Sequence, residues 1–189
     1  TPSCRPYRDG TLSFDARRYT RFAPASRVNL RVVGKGWIGG DPLPVQRRVS
    51  VGGPDLLPGY GFRAVTCAPA TFTDAARAAL CDRMLATQLE VRTRVNLGLS
   101  SLLPDRDLYG LDQLLNLEQA DLVLFGNAGA AWLAGDGPGR VPSNRIPVFG
   151  EWKKDVGVGI DTGTFALYLA KAIGEAEPVR FTVRLERRF

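Results

Sequence analysis

Apolar and polar side chains alternate along the end of this chain. Val179, Phe181, Val183, Leu185 and Phe189 take odd positions, while Arg180, Thr182, Arg184, Glu186 and Arg188 take even ones. A period of two sends the two sets to opposite faces of a pleated strand. The same period recurs through most of the chain and predicts eight strands, over residues 11–22, 27–38, 43–51, 85–97, 121–132, 155–161, 164–172 and 179–189. The fourth is the clearest: Leu85, Thr87, Leu89, Val91, Thr93, Val95 and Leu97 alternate with Ala86, Gln88, Glu90, Arg92, Arg94 and Asn96. In the third, Val45, Val49 and Val51 share one face. A long Gly-, Pro- and Ala-rich loop spans residues 52–82, with a short helix expected over 74–81, and a second excursion covers 98–119. Loops of that length inside a compact unit are usually functional.

The 189 residues make one domain of all-β class, and no stretch approaches the ~18 apolar residues of a membrane helix. Hydropathy is a poor guide here, because a strand of a transmembrane barrel is apolar only at every second residue. The last strand is about as long as the ~9–11 residues that a tilted strand needs to cross a bilayer. Short links join the last three strands, whereas the loops at 52–82 and 133–152 are long and emerge on one side of an up-and-down order. Short turns on one side and long loops on the other are the pattern of an outer-membrane barrel. The excursion at 98–119 departs from it by being long on the short-turn side. Trp37, Trp132, Trp152 and Tyr19 fall near strand ends, where interfacial girdles lie, although each also suits ordinary packing.

Charge adds a constraint. Lys and Arg number 25 against 19 Asp and Glu, a net charge of +6. The cations are spread over one face of successive strands rather than clustered, so a polar lumen or solvated face fits better than a nucleic-acid partner. Histidine is absent, which removes the usual general base and the commonest metal ligand. Asp161-Thr162-Gly163-Thr164 has the form of an aspartic-protease motif, but that chemistry needs two carboxylates sharing a proton, and the segment sits where a hairpin turn is required. Gly34-Lys35-Gly36 and Gly135-Asp136-Gly137 lack the strand–loop–helix setting of a phosphate cradle. The expectation is a protein that is not an enzyme, with no cofactor and no metal. Cys67 and Cys81 bracket a fourteen-residue step without zinc-ligand spacing. A disulfide between them would contribute ~3 kcal/mol and imply an oxidising compartment. Two unpaired thiols are the alternative, and Cys4 has no evident partner.

The segment Pro42-Leu43-Pro44-Val45-Gln46-Arg47-Arg48-Val49-Ser50-Val51-Gly52-Gly53-Pro54-Asp55-Leu56-Leu57-Pro58-Gly59-Tyr60 resembles the approach strand and signature loop of the BamA/TamA family, the bacterial surface antigen barrels. That loop reads as a Gly-Gly pair followed by Arg-Gly-Tyr or Arg-Gly-Phe; here the pair is Gly52-Gly53 and the tail is Gly59-Tyr60. Leu85 to Arg92 is similar to the strand after the loop, and Phe125-Gly126-Asn127-Ala128-Gly129 to the family's Phe-x-Asp-x-Gly motif. Asp155 to Asp161, Leu167 to Ala172 and the final Phe189 resemble the last three strands. The motifs occur in the family's order over essentially the whole chain.

The resemblance implies the second half of a sixteen-stranded antiparallel transmembrane barrel in the bacterial outer membrane. An N-terminal barrel half and periplasmic POTRA domains are expected on a longer chain, of which the sequence beginning at Thr1 is a piece. It implies a protein that assists insertion of client outer-membrane polypeptides or their passage across the membrane, with the lipid bilayer and those clients as partners. Phe181, Val183, Leu185 and Phe189 would form the terminal-strand sorting signal. Two departures occur together: Pro58 replaces the family's loop arginine, and Asn127 replaces the aspartate that holds it. A guanidinium in an enclosed lumen needs a carboxylate, so the joint loss avoids an orphan charge, while Arg63 is placed to supply a guanidinium from a shifted position. The loop is expected to enter the barrel, held by Pro58, Tyr60 and backbone contacts. Two other readings stand beside this one: a passive pore or structural outer-membrane barrel without assembly activity, and a soluble β-barrel that binds a ligand inside.

Overall fold

The structure, a computed structural model, describes residues 8–65, 67, 80–96 and 119–185. Alternation is realised as one sheet of seven antiparallel strands in chain order. They are β1 (Asp9–Ala23), β2 (Ser26–Gly40), β3 (Arg83–Asn96), β4 (Gln119–Trp132), β5 (Lys153–Asp161), β6 (Ala166–Ala172) and β7 (Arg180–Arg184). Two short 3-10 turns, Val45–Arg47 and Phe149–Glu151, complete the regular structure among the described residues. The sheet is open, with β1 and β7 as its edges. Phe189, Cys4 and the excursion at 98–118 lie outside the described residues, as does most of the expected helix at 74–81.

One expected strand is not a strand. Residues 43–51 run from an extended Pro44 through the Val45–Arg47 turn and then make only single bridges, Val49 with Cys81 and Val51 with Val65. Pro42 and Pro44 lack the N–H groups that a ladder requires. Burial also breaks the alternation, since Leu43, Val49 and Val51 are buried but Val45 is exposed. The segment leaves the sheet, and β3 takes the place beside β2. Removing one strand leaves the segments at 41–82 and 133–152 on a common side. The turn at Pro24-Ala25 moves to the opposite side, together with the turn at 162–165.

The sheet is strongly curled. Arg92 on β3 donates from Nη2 to the Tyr168 hydroxyl on β6 at 3.4 Å, although three ladder spacings of a flat sheet separate those strands by ~14 Å. Residues 54 and 55 likewise reach both walls: the Asp55 carbonyl accepts from Gln88 on β3 at 2.8 Å, and the Pro54 carbonyl accepts from Arg184 on β7. The concave face is polar and buried, holding Asn29, Gln88, Glu90, Arg92, Asp121, Asn127, Asp155 and Asp161. The convex face carries exposed Leu12, Phe14, Leu30, Leu89, Leu122, Leu124, Val156, Val158, Ile160 and Leu169. Leu89 is 48% exposed, whereas Arg92, three residues on, is 2% exposed. A water-soluble sheet has the opposite sense.

Candidate functional site

The segment that left the sheet lies on the concave face. Gly52 and Gly53 start the fold-back with φ of 123° and 103°, which favour glycine. Gly53 and Leu57 then exchange backbone hydrogen bonds in both directions, at 3.2 and 3.0 Å. The turn delivers Leu57, Pro58, Gly59 and Tyr60 to buried positions. Val51, Leu57, Tyr60 and Ala172 form one apolar cluster, with Met84 and Ala131 packed against it from the sheet.

Polar anchoring follows one ladder row, Arg17–Arg31–Gln88–Asn127–Asp155, which crosses five strands. The Gly59 N–H donates to Asp155 Oδ2 at 2.7 Å, and Asn127 Nδ2 donates to Asp155 Oδ1 at 2.5 Å. Gln88 Nε2 donates to the Asp55 and Leu56 carbonyls at 2.8 and 3.0 Å. The Tyr60 hydroxyl donates to the Lys154 carbonyl at 3.3 Å, and burial pushes its pKa above the ordinary phenol range. Close packing at Gly59 is absolute: a Cβ there would lie 2.6 Å from Asp155 Cβ, 2.8 Å from the Ala172 nitrogen and 2.9 Å from the Lys171 carbonyl carbon.

The motif on β4 forms the receiving surface, because alternation turns Phe125, Asn127 and Gly129 to the same concave face. Gly129 leaves room for Val51 and Leu57; an added Cβ would meet Val51 Cγ1 at 2.9 Å. Asn127 passes the docking contact on to Asp155. Phe125 packs edge-on against Tyr168, with ring centroids 5.8 Å apart. Pro58 thus sits buried where the resemblance implies an arginine, and Arg63 places its guanidinium over the Phe62 ring at 4.9 Å. Asp155 was not singled out by the sequence reading. Its signal was available: a carboxylate on the parity opposite Val156, Val158 and Ile160 must face an interior and find donors there.

Two further features frame the docked segment. Cys67 and Cys81 are joined by a disulfide with Cα atoms 4.9 Å apart, next to the Val49–Cys81 bridge. Nearer the Pro24-Ala25 turn, Arg92 is enclosed by Glu90 at 2.9 Å, Asp161 at 2.5 Å and Asp121 at 3.8 Å. Asp121 is shared with Arg27 at 3.1 Å and Arg94 at 3.7 Å. Buried cations on this face are therefore matched by carboxylates from neighbouring strands.

On the convex face, the exposed apolar positions form a slanted band. Its boundary on the long-loop side is marked by Arg83 on β3, Lys154 on β5 and Lys171 on β6. Arg83 pairs in register with Trp132, and Lys154 with Ala128 four residues earlier on β4. Lys171 pairs with Val156, two residues beyond Lys154. The boundary therefore drops by two residues per strand, ~6.6 Å along for ~4.8 Å across. A single ladder row shows the consequence: Arg18–Leu30–Leu89–Gly126–Val156–Lys171 begins and ends on a cation, with apolar residues and glycine between. Above the band, Ala128, Ala130 and Trp132 are covered by Trp152 and Val141 from the 133–152 segment. Phe181, Val183 and Leu185 of the last strand lie exposed on this face. No helix of the described residues is long and apolar enough to cross a membrane, which leaves crossing by strands open.

No protein-family model matches the chain, and no curated protein matches it.

Proposed function

We propose that this chain is the C-terminal part of an outer-membrane β-barrel of BamA/TamA type, which assists the insertion or translocation of other outer-membrane polypeptides. One observation carries the reading: exposed apolar side chains cover the convex face in a tilted band bounded by cations, while charged and amide groups line the buried concave face. Hydrocarbon outside and a wet interior favour that distribution, and water outside does not. The docked segment supports the same reading, since Val51 and Leu57, on either side of its Gly-Gly turn, pack against Gly129 of the β4 motif, and Gly59 bonds to Asp155, which also holds Asn127 of that motif. On this reading the sheet is one wall of a larger closed barrel, whose free edges at β1 and β7 meet the strands of the other half. No chemistry is required of it; the work is done by strand pairing at an edge.

A second reading, a structural barrel without assembly activity, is favoured by the fixed filling of the interior. Residues 54–60 are tied to β3, β5 and β7, and a disulfide joins Cys67 to Cys81 further along the same connection. Depletion of the protein in its native cell separates the two. Loss of other barrel proteins from the outer membrane supports an assembly function, and unchanged levels support the structural one. A soluble ligand-binding barrel predicts an apolar interior, which is contrary to the buried row through Gln88, Asn127 and Asp155.

A further inference from the structure

The short-turn end of the concave face carries a concentration of guanidinium groups that the docked segment does not use. Arg21, Arg27 and Arg92 are direct register neighbours on β1, β2 and β3. Like charges directly opposite one another destabilise a sheet. The rest of that row continues through Val123, Gly159, Tyr168 and Thr182, so it contains no carboxylate. Arg94 adds a fourth cation at the end of β3. A hollow of about 50 Å³ opens between these groups and the Pro24-Ala25 turn. Asp121 is the one carboxylate lining it among the described residues, and three arginines divide that group among them. Arg92 is further neutralised by Glu90 and Asp161. Among the described residues, the cations that border the hollow are left in excess. Arg27 Nε is buried without a hydrogen-bond partner among the described residues, although a buried donor normally has one.

We propose that this hollow is a binding site for a phosphate-type oxyanion, held by Arg21, Arg27 and Arg94. A tetrahedral anion there accepts from the guanidinium groups of the arginines that line the hollow, and it relieves the repulsion along the arginine row. Charge-assisted, forked donors of this kind are what phosphate recognition uses. The lining comes from β1, β2 and β3, the Pro24-Ala25 turn that joins the first two, and Asp121 of β4.

The test is isothermal titration calorimetry of inorganic phosphate into the purified full-length protein, with ionic strength held constant by chloride. Saturable phosphate binding is expected. Arg21→Gln and Arg94→Gln should each weaken it about tenfold, as for the loss of one charge-assisted contact. Asp121→Asn, which removes the competing carboxylate, should strengthen it. Arg18→Gln, on the same strand but on the convex face, should leave it unchanged. A parallel titration with dihexanoyl phosphatidic acid, kept below its micelle concentration, identifies the source: preference for it over inorganic phosphate points to a lipid headgroup, and the reverse to a soluble phosphate. No binding of either, or binding equally weakened by Arg18→Gln, overturns the proposal. So does the combination of no binding with barrel stability lost in Arg21→Gln, which would assign Arg21 to a carboxylate on the strand beyond the β1 edge.

Discussion

Replacing Gly59 with alanine probes the docked segment with the smallest possible change. Its φ is not in the left-handed region, so the substitution carries no backbone penalty and acts through volume alone. The added methyl would approach Asp155 Cβ to 2.6 Å and two backbone atoms of the β6 end, at Ala172 and Lys171, to 2.8 and 2.9 Å. Neither the Lys171–Ala172 peptide nor the Asp155 Cβ, fixed to its own backbone, can move aside by changing rotamer, so the turn must back away by several tenths of an ångström. That displacement stretches the 2.7 Å bond from the Gly59 N–H to Asp155 and lifts Leu57 and Tyr60 from their cluster. Overpacking costs ~1–3 kcal/mol, and a lost hydrogen bond to a buried carboxylate a further ~1.5–3 kcal/mol. A combined loss of ~3–4 kcal/mol, tenfold per ~1.4 kcal/mol, corresponds to a few-hundred-fold shift of the docking equilibrium. Hydrogen exchange at the Leu57 and Tyr60 amides reads this directly, because both donate only within the turn, to Gly53 and Leu57. Exchange should accelerate by roughly 100-fold or more while amides of β3 and β4 stay protected. Acceleration below about threefold would show that the segment is not seated against Asp155, and the reasoning would fail.

Other consequences concern the wall and the latch. Gly159→Val should destabilise the folded sheet by at least ~2 kcal/mol, since a Cβ there meets the Tyr168 ring at 2.3 Å and the Leu167 carbonyl oxygen at 2.7 Å; an unchanged midpoint of denaturant unfolding would contradict this. Reducing the Cys67–Cys81 bridge, which closes a short loop worth ~3 kcal/mol, should speed exchange at the Val49 and Cys81 amides that pair beside it by at least about tenfold, and equal rates before and after reduction would refute the latch. Burial raises the Tyr60 pKa, so the neutral phenol is the docked form. Docking should hold below the ordinary phenol value of 10.0 and weaken as pH rises through and beyond it. Tyr60→Phe should remove that dependence, and a pH profile identical in the variant would count against it.

Much of the sheet was legible because alternation is a local property. Leu85 to Asn96 and Asp155 to Asp161 could be read directly, and their two parities map onto the two faces. Residues 43–51 misled because three valines at even spacing imitate one face of a strand, while Pro42 and Pro44 deny the segment a ladder. That the segment after Gly52-Gly53 folds inward beside the strand of Phe125, Asn127 and Gly129, with Val51 and Leu57 against Gly129, was an expectation of the resemblance rather than of the residues themselves. Asp155 was missed because a carboxylate in a strand shows its role only when its neighbours across the ladder are known, and register is not written in either strand alone. The slanted apolar band was unreadable for the same reason. It exists only in the pairing of Arg18 with Leu30, and onward through Leu89 and Val156 to Lys171.

That row also offers the most direct test of where this sheet resides. Nitroxide labels placed singly at positions 18, 30, 89, 156 and 171, with Cys4→Ser so that position 4 cannot take the label, report contact with oxygen dissolved in lipid and with a water-soluble nickel chelate. In native membranes, labels at 30, 89 and 156 should be reached by oxygen and shielded from the chelate, with chelate contact rising at 18 and 171. If the chelate reaches positions 89 and 156 as readily as position 18, the convex face meets water and the membrane assignment is wrong.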